Sequence, residues 1–270
     1  MELAMQSRLV AGLLIGLATM VAPAQAAPYD PWPDIAASVF DGRPIREGDG
    51  VIALEAPYRA EDAAIVPMTI RSELPAGSAL RIERITLIID NNPSPVAAVF
   101  TLGSAGVVHA IETRVRVDSY TNVHAVAELS DGTLHGVQEF VKASGGCSAP
   151  ASKDPGESAA VGEMKFRGFA GGAAGGSREV QIMIRHPNNS GLQMDPVNLY
   201  YIPAFFVEDL TLTLGDDILF RMEGGISISQ NPTFRVSYSG TEDGPAAAEA
   251  VDTKGNVYRK TWAAGDGDQS

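Results

Sequence analysis

One cysteine, four histidines and 33 carboxylates are the groups of this 270-residue chain able to serve as nucleophile, base or metal ligand. The histidines, His109, His124, His135 and His186, share no ligand spacing such as H-x-x-x-H, and a single cysteine forbids C-x-x-C. No metal site is therefore expected. His109, His124 and His135 fall on or beside expected strands and read as solvent-facing, while His186, in "IRHPNNSG", reads as structural ahead of a turn. No G-x-S-x-G elbow is present, which removes the local signature of a serine hydrolase. "GFAGGAAGGSRE" is glycine-rich, but no Gly-Lys-Ser/Thr follows, so it reads as a hairpin tip rather than a phosphate loop. No catalytic residue and no cofactor are expected, and the chain does not read as an enzyme.

Cys147 remains. It sits in "VKASGGCSAPASKDPGES", behind Gly145 and Gly146, with no apolar neighbours at a regular spacing to bury it. The local sequence therefore predicts a thiol on a flexible glycine arm. Lys142, Lys153, Asp154 and Glu157 cancel, which predicts a pKa near the free value of about 8.5. A protease-type cysteine needs a base fixed against it by a rigid fold, which such an arm does not supply. Delivery suits the geometry better. Five residues beyond a strand reach at most about 17 Å, enough to carry a bound group into a partner's cleft.

The elements around the thiol are short. "DPWPDIAASVFDG" predicts a helix, with Pro33 and Asp34 in its first turn, an apolar side of Ile35, Ala36, Val39 and Phe40, and Gly42 as its stop. Strand and turn patterns follow. "AIETRVRVDS" alternates Ile111, Thr113, Val115 and Val117 against Glu112, Arg114 and Arg116, and "SDGT" marks a hairpin between "NVHAVAEL" and "LHGVQEFVK". Residues 144–163 lose all periodicity and read as a flexible linker carrying Cys147. A second strand series begins at Met164, in which "VEDLTLTLGDD" and "PTFRVSYS" alternate strongly. The expected class is all-β: two immunoglobulin-like β-sandwiches in tandem, 27–143 and 164–270, after a short N-terminal helix.

The start of the chain reads as a targeting segment. Arg8 precedes an apolar run of about fourteen residues, short of the roughly twenty that a membrane span needs. Ala24 and Ala26 then give an A-x-A cleavage pattern, so 1–26 is expected to be a signal peptide. The expected destination is a bacterial periplasm, with no membrane attachment after cleavage. A net charge of -13 without clustered Lys or Arg argues against nucleic-acid binding. In an oxidising compartment a leftover thiol pairs with another molecule or reacts.

Two long stretches resemble known families. "DNNPSPVAAVFTLG…ETRVRVDSYTNVHAVAELSDGTLHGVQEFVKASGGC" resembles SoxY, the sulfur-carrier subunit of periplasmic thiosulfate oxidation. "IMIRHPNNSGLQMD…YIPAFFVEDLTLTLGDDILFRMEGGISISQNPTFRVSYSG" resembles its partner SoxZ. In that order the whole resembles the fused SoxYZ-like carriers associated with quinoprotein (PQQ-dependent) dehydrogenases. The resemblance implies that Cys147 covalently carries a sulfur species or small metabolite, and that Gly145 and Gly146 are the first positions of a mobile arm. It also implies intramolecular docking of the two domains and periplasmic redox partners, either sulfur-oxidising enzymes or a quinoprotein dehydrogenase. Ser148-Ala149 replaces the family's trailing Gly-Gly. That departure keeps open an alternative, an accessory protein of such a dehydrogenase whose cysteine is incidental.

Overall fold

The computed structural model describes residues 29–150, 160–169, 177–240 and 244–263. The expected signal peptide lies outside the described residues, as do 151–159 of the expected linker and 170–176 of the glycine-rich run. Helix α1 (Trp32–Val39) forms where Pro33 presets the first turn and Asp34 faces the positive end of the helix dipole. Gly42 ends it at φ +68, its N–H reaching the Ala37 carbonyl at 3.0 Å. Trp32, Ile35, Ala36, Val39 and Phe40 pack on Ile88, Val126 and Leu134, the apolar side that the spacing predicts.

The rest of the described chain is strand and turn. The first half supplies β1 (Ile45–Glu47), β2 (Ile52–Glu55), β3 (Val66–Ser72), β4 (Ile82–Ile89), β5 (Val96–Leu102), β6 (Val107–Val115), β7 (Thr121–Leu129) and β8 (Leu134–Val141). The second supplies β9 (Met164–Phe169), β10 (Arg178–Ile184), β11 (Val207–Leu214), β12 (Asp217–Gly224), β13 (Thr233–Ser239), β14 (Ala246–Asp252) and β15 (Val257–Trp262). Period-two burial follows the sequence closely. β13 buries Phe234, Val236 and Tyr238 and turns the residues between them outward, and β6 buries Ile111, Thr113 and Val115. The hairpin read from "SDGT" joins β7 to β8, with Gly132 at φ +78.

The tandem β-sandwich architecture is present, and its two halves share their sheets. One sheet of nine strands runs β1-β8-β7-β4-β5-β12-β11-β14-β15, and the facing sheet of six runs β2-β3-β6-β13-β10-β9. The halves join at β5–β12, from Leu102↔Phe220 to Ala98↔Gly224, and at β6–β13, from Val107↔Ser239 to Glu112↔Arg235. Each junction covers backbone edges that would otherwise stand open to foreign strands. Between the sheets Phe100 of the first half meets Phe220 and Phe234 of the second, with ring centroids 6.4 and 5.8 Å away. Each such ring contributes roughly 1.5–3 kcal/mol on burial.

This pairing, rather than the covalent link, holds the halves together. Cleavage at a protease site inserted within 151–159 is expected to leave the two fragments co-eluting as one species on size-exclusion chromatography. Separation of the fragments in native buffer would contradict the shared sheets.

Candidate functional site

The end of β8 sets the thiol in place. Lys142 is held from both sides, its N–H on the Tyr58 carbonyl at 2.8 Å and its carbonyl accepting from Ala60 at 3.1 Å. The chain then turns beneath the end of β6. Gly145 N–H donates to the Asp118 carbonyl at 2.7 Å, Gly146 N–H to the Val117 carbonyl at 3.0 Å, and Cys147 N–H to Asp118 Oδ1 at 3.3 Å. Gly145 adopts φ +77, the left-handed region in which glycine carries no Cβ penalty. Gly146 answers a different need. A Cβ there would lie 2.0 Å from the Ala63 carbonyl oxygen and 2.6 Å from that of Val117.

The expectation of a flexible arm at Gly145, Gly146 and Cys147 is therefore corrected. The glycines make a tight, hydrogen-bonded turn, and Cys147 is 0% exposed. It closes the first half instead of riding in the linker. Groups distant in sequence, from both halves, pack against and bond this turn, so the residues next to it need not be apolar. In the loop after β10, Ser190 Oγ donates to the Cys147 carbonyl, and Gln193 Nε2 donates to the Ala149 carbonyl at 3.1 Å. Gln193 Oε1 in turn accepts the Ser190 N–H at 3.0 Å. Both side chains are buried.

A guanidinium shares this seam. Alternation assigns Arg116 to the polar side of β6, but that strand ends at Val115, and Val115, Arg116 and Val117 are all buried. Arg116 Nη1 donates to the Gly146 carbonyl at 3.1 Å and Nη2 to the Asn188 carbonyl at 3.4 Å, which ties the cysteine turn to the second half. Asn92 fixes the backbone behind it. Its Nδ2 donates to the Arg116 carbonyl at 2.7 Å and to Ser227 Oγ at 2.8 Å, while its Oδ1 accepts the Asp118 N–H at 2.9 Å.

Electrostatics follow from this burial. Loss of solvent pushes the Cys147 thiol up from its ordinary 9.0 to about 12, the Asp118 charge adds to the rise, and Arg116 opposes it. Burial also lowers the Arg116 pKa, against the charges of a Cys147 thiolate and Asp62. At neutral pH the sulfur is thus a neutral thiol and a weak nucleophile until it is uncovered.

The histidines are placed apart from one another. His124 is a second correction, since α1 covers the face that the strand pattern turns to solvent. It is buried, 3.0 Å from Asp90 Oδ2, and stacked on Trp32 at 3.6 Å between centroids. His109 is half-buried and reaches Ser239 Oγ across the junction at 2.9 Å, and half-buried His135 reaches the Glu47 carbonyl at 3.0 Å. His186 is buried beside Phe205, its Nδ1 2.8 Å from Asn188 Oδ1, and burial lowers its pKa against the pull of Asn188 and Asp252. Among the described residues no three His, Cys, Asp or Glu side chains converge on a metal position.

Sequence reasoning missed Arg116, Asp118, Asn188, Ser190 and Gln193 as neighbours of the thiol. Only Arg116 left a local signal, a charged residue between two valines at the point where the alternation of β6 gives out.

The chain has relatives for each half. Residues 36–147 match the family model of "Sulfur oxidation protein SoxY", and residues 167–263 that of "Sulphur oxidation protein SoxZ". No curated protein matches. Among solved structures, the sulfur carrier protein SoxY from Chlorobium limicola f thiosulfatophilum is 26% identical over 42% of this chain and 91% of that one, at a TM-score of 0.34. A superoxide reductase (neelaredoxin) from Ignicoccus hospitalis is 12% identical over 36% and 93%, at 0.32. A putative superoxide reductase from Thermotoga maritima is 13% identical over 38% and 96%, also at 0.32. With a SoxY match that runs to the thiol and a SoxZ match covering the strands that pair with it, the chain joins a SoxY-family half to a SoxZ-family half in one polypeptide.

Proposed function

We propose that the protein is a non-catalytic sulfur carrier of the periplasm, bonding a sulfur species or small metabolite to Cys147 and presenting it to partner redox enzymes. One observation carries this reading: the SoxY match ends on residue 147, the thiol itself. The covered thiol defines a closed form. Loading requires the turn at Gly145–Ala149 to leave Ser190 and Gln193, whose hydrogen bonds close it. A carrier gains from such a closed form, because a bound sulfur group is shielded from stray thiols between transfers.

Intact mass of the protein recovered from periplasm, wild type beside Cys147→Ser, tests the proposal. The expected result is an added sulfur-containing group on the wild type, none on the variant, and loss of the partner-dependent activity. An unmodified wild type together with a fully functional variant would end the carrier reading.

The burial of Cys147 favours a second reading, an accessory of a PQQ-dependent dehydrogenase in which the cysteine only packs. In that case Cys147→Ser leaves complex formation and dehydrogenase activity intact. Changes at exposed apolar side chains such as Tyr200 and Tyr201 abolish both.

A further inference from the structure

The loop between β10 and β11 is rooted on a buried histidine. His186 is 1% exposed, and its ring packs on Phe205 at the far end of the same loop, 4.4 Å between centroids. Asn188 N–H donates to His186 Nδ1 at 3.1 Å, which assigns the single proton of a neutral ring to Nε2. That Nε2 has no hydrogen-bond partner among the described residues and stands 3.7 Å from Asp252 Oδ2. Asn188 is the next link. Its Oδ1, 2.8 Å from Nδ1, accepts the Val207 N–H at 3.1 Å where the chain enters β11, and its carbonyl takes Arg116 Nη2 at 3.4 Å. Arg116 in turn holds the Gly146 carbonyl. Further along the loop, Ser190 and Gln193 hold the carbonyls of Cys147 and Ala149. Each of these ties between the second half and the cysteine turn runs through the loop that His186 roots.

We infer that His186 is a proton-sensitive latch: acid loosens the loop between β10 and β11 and, with it, the second half's hold on the cysteine turn. The latch belongs to the resting protein and does not depend on what Cys147 carries. A proton on Nδ1 removes the acceptor of the Asn188 N–H and turns toward Asn188 Oδ1, which already serves Val207. It also places a full charge where water does not reach. Burial is the larger influence and holds the ring below its ordinary 6.5, although Asn188 and Asp252, at the end of β14, favour the charge. Lys254, in the turn after β14 with its Nζ 3.8 Å over the Phe205 ring, opposes it. Arg116 and Arg114 bring two further cations to the same knot, at the carbonyls of Asn188 and Asn231. The other titrating neighbours keep their state between about pH 5 and about pH 7. Burial acts to raise Asp252, but hydrogen bonds from Asn256 and Tyr258 leave it below its ordinary 3.8 and so ionised. Tyr258 of β15, raised by burial and by Asp252 to about 12, stays neutral. Below about pH 6.5 the released loop, with His186 in water, therefore binds more protons than the latched one, and opening is favoured as pH falls.

Hydrogen exchange of the full chain, corrected for intrinsic rates, is compared at about pH 7 and about pH 5 in wild type and His186→Gln. In wild type the amides of Asn188, Ser190 and Val207 are expected to exchange about tenfold faster at the lower pH, with a ceiling of about thirtyfold set by the ordinary histidine pKa. The rate of Cys147 with a dipyridyl disulfide, divided by that of the urea-unfolded chain at each pH, is expected to rise in step. Both stay flat in His186→Gln, which keeps a neutral side chain at the root of the loop. Flat exchange in wild type, an equal rise in the two proteins, or a flat Cys147 ratio overturns the inference. If His186→Gln does not fold, the wild-type exchange map decides. An acid rise spread over the strands, or centred on His124 beneath α1 instead of on the loop, overturns it.

Discussion

Gly146→Ala is expected to raise the reaction rate of Cys147 with a thiol reagent by about a hundredfold to a thousandfold over wild type. The closed form suppresses reaction in two ways. A thiol pKa of about 12 instead of 9.0 leaves about a thousandfold less thiolate at neutral pH, and 0% exposure denies the reagent an approach. The new methyl group would meet the Ala63 carbonyl oxygen at 2.0 Å. That oxygen belongs to the backbone and is already bonded to Val117 N–H at 2.8 Å, so it does not swing aside. The turn must move instead, and with it go the bonds from Gly146 to Val117 and from Ser190 to Cys147. Gly145→Ala is the control. Its φ of +77 makes it costly, roughly 1–2 kcal/mol, but its Cβ meets nothing nearer than Ser148 Oγ at 3.8 Å, so the thiol stays covered. Rates with an aromatic disulfide reagent, compared with those of the urea-unfolded chain, decide the matter. A wild type as fast as its unfolded chain, or a Gly146→Ala protein as slow as wild type, would contradict the closed turn.

That expectation reverses what the local sequence suggests, and the reason is physical. Strands report themselves locally, because a buried face repeats every second residue. Thr233–Ser239 and Val107–Val115 are legible in this way, as is the apolar side of the helix at Trp32–Val39. Burial of a turn reports nothing locally when groups that hold it, Ser190 and Gln193, lie more than forty residues away. "SGGC" therefore reads equally well as a flexible arm and as a turn too crowded for a side chain. Arg116 fails for a related reason. Alternation assigns it to solvent, but the strand stops one residue earlier and the chain turns inward. The sharing of both sheets across the halves was likewise invisible, because period-two patterns are the same in an edge strand and in one paired with another domain.

The closed turn also changes what the fusion is for. A separate arm would need the second half only as a neighbour, whereas here Ser190 and Gln193 hold the backbone of the cysteine turn, and Arg116 links that turn to the Asn188 carbonyl. Carrying both halves on one chain keeps those groups at a fixed, high effective concentration. The exposed Leu192, Met194, Tyr200 and Tyr201 lie in the same loop as Ser190 and Gln193, which hold the cysteine turn. Under the carrier proposal, a partner gripping that loop would act on the bonds that hold the turn closed.

Alkaline pH is expected to destabilise the protein through this same thiol. Its folded pKa of about 12 lies above the ordinary 9.0, so the protonated form belongs to the folded state. In this window the unfolded chain gives up its proton first and binds fewer protons, so stability falls as pH rises. The contribution is complete below about pH 9 and is lost on the way to about pH 12, up to about 4 kcal/mol in all. Tyr258 adds a second loss at higher pH, since burial and its hydrogen bond to Asp252 raise it from 10.0 to about 12. Cys147→Ala removes the first loss and keeps the second, so the difference between the two proteins isolates the sulfur. Urea unfolding of both at neutral pH and at about pH 10.5 should show wild type losing about 2 kcal/mol more than the variant. Parallel losses would mean that the sulfur is already solvated in the folded protein. The closed turn, whose carbonyls Ser190 and Gln193 hold, would then leave the sulfur open to water in the folded protein.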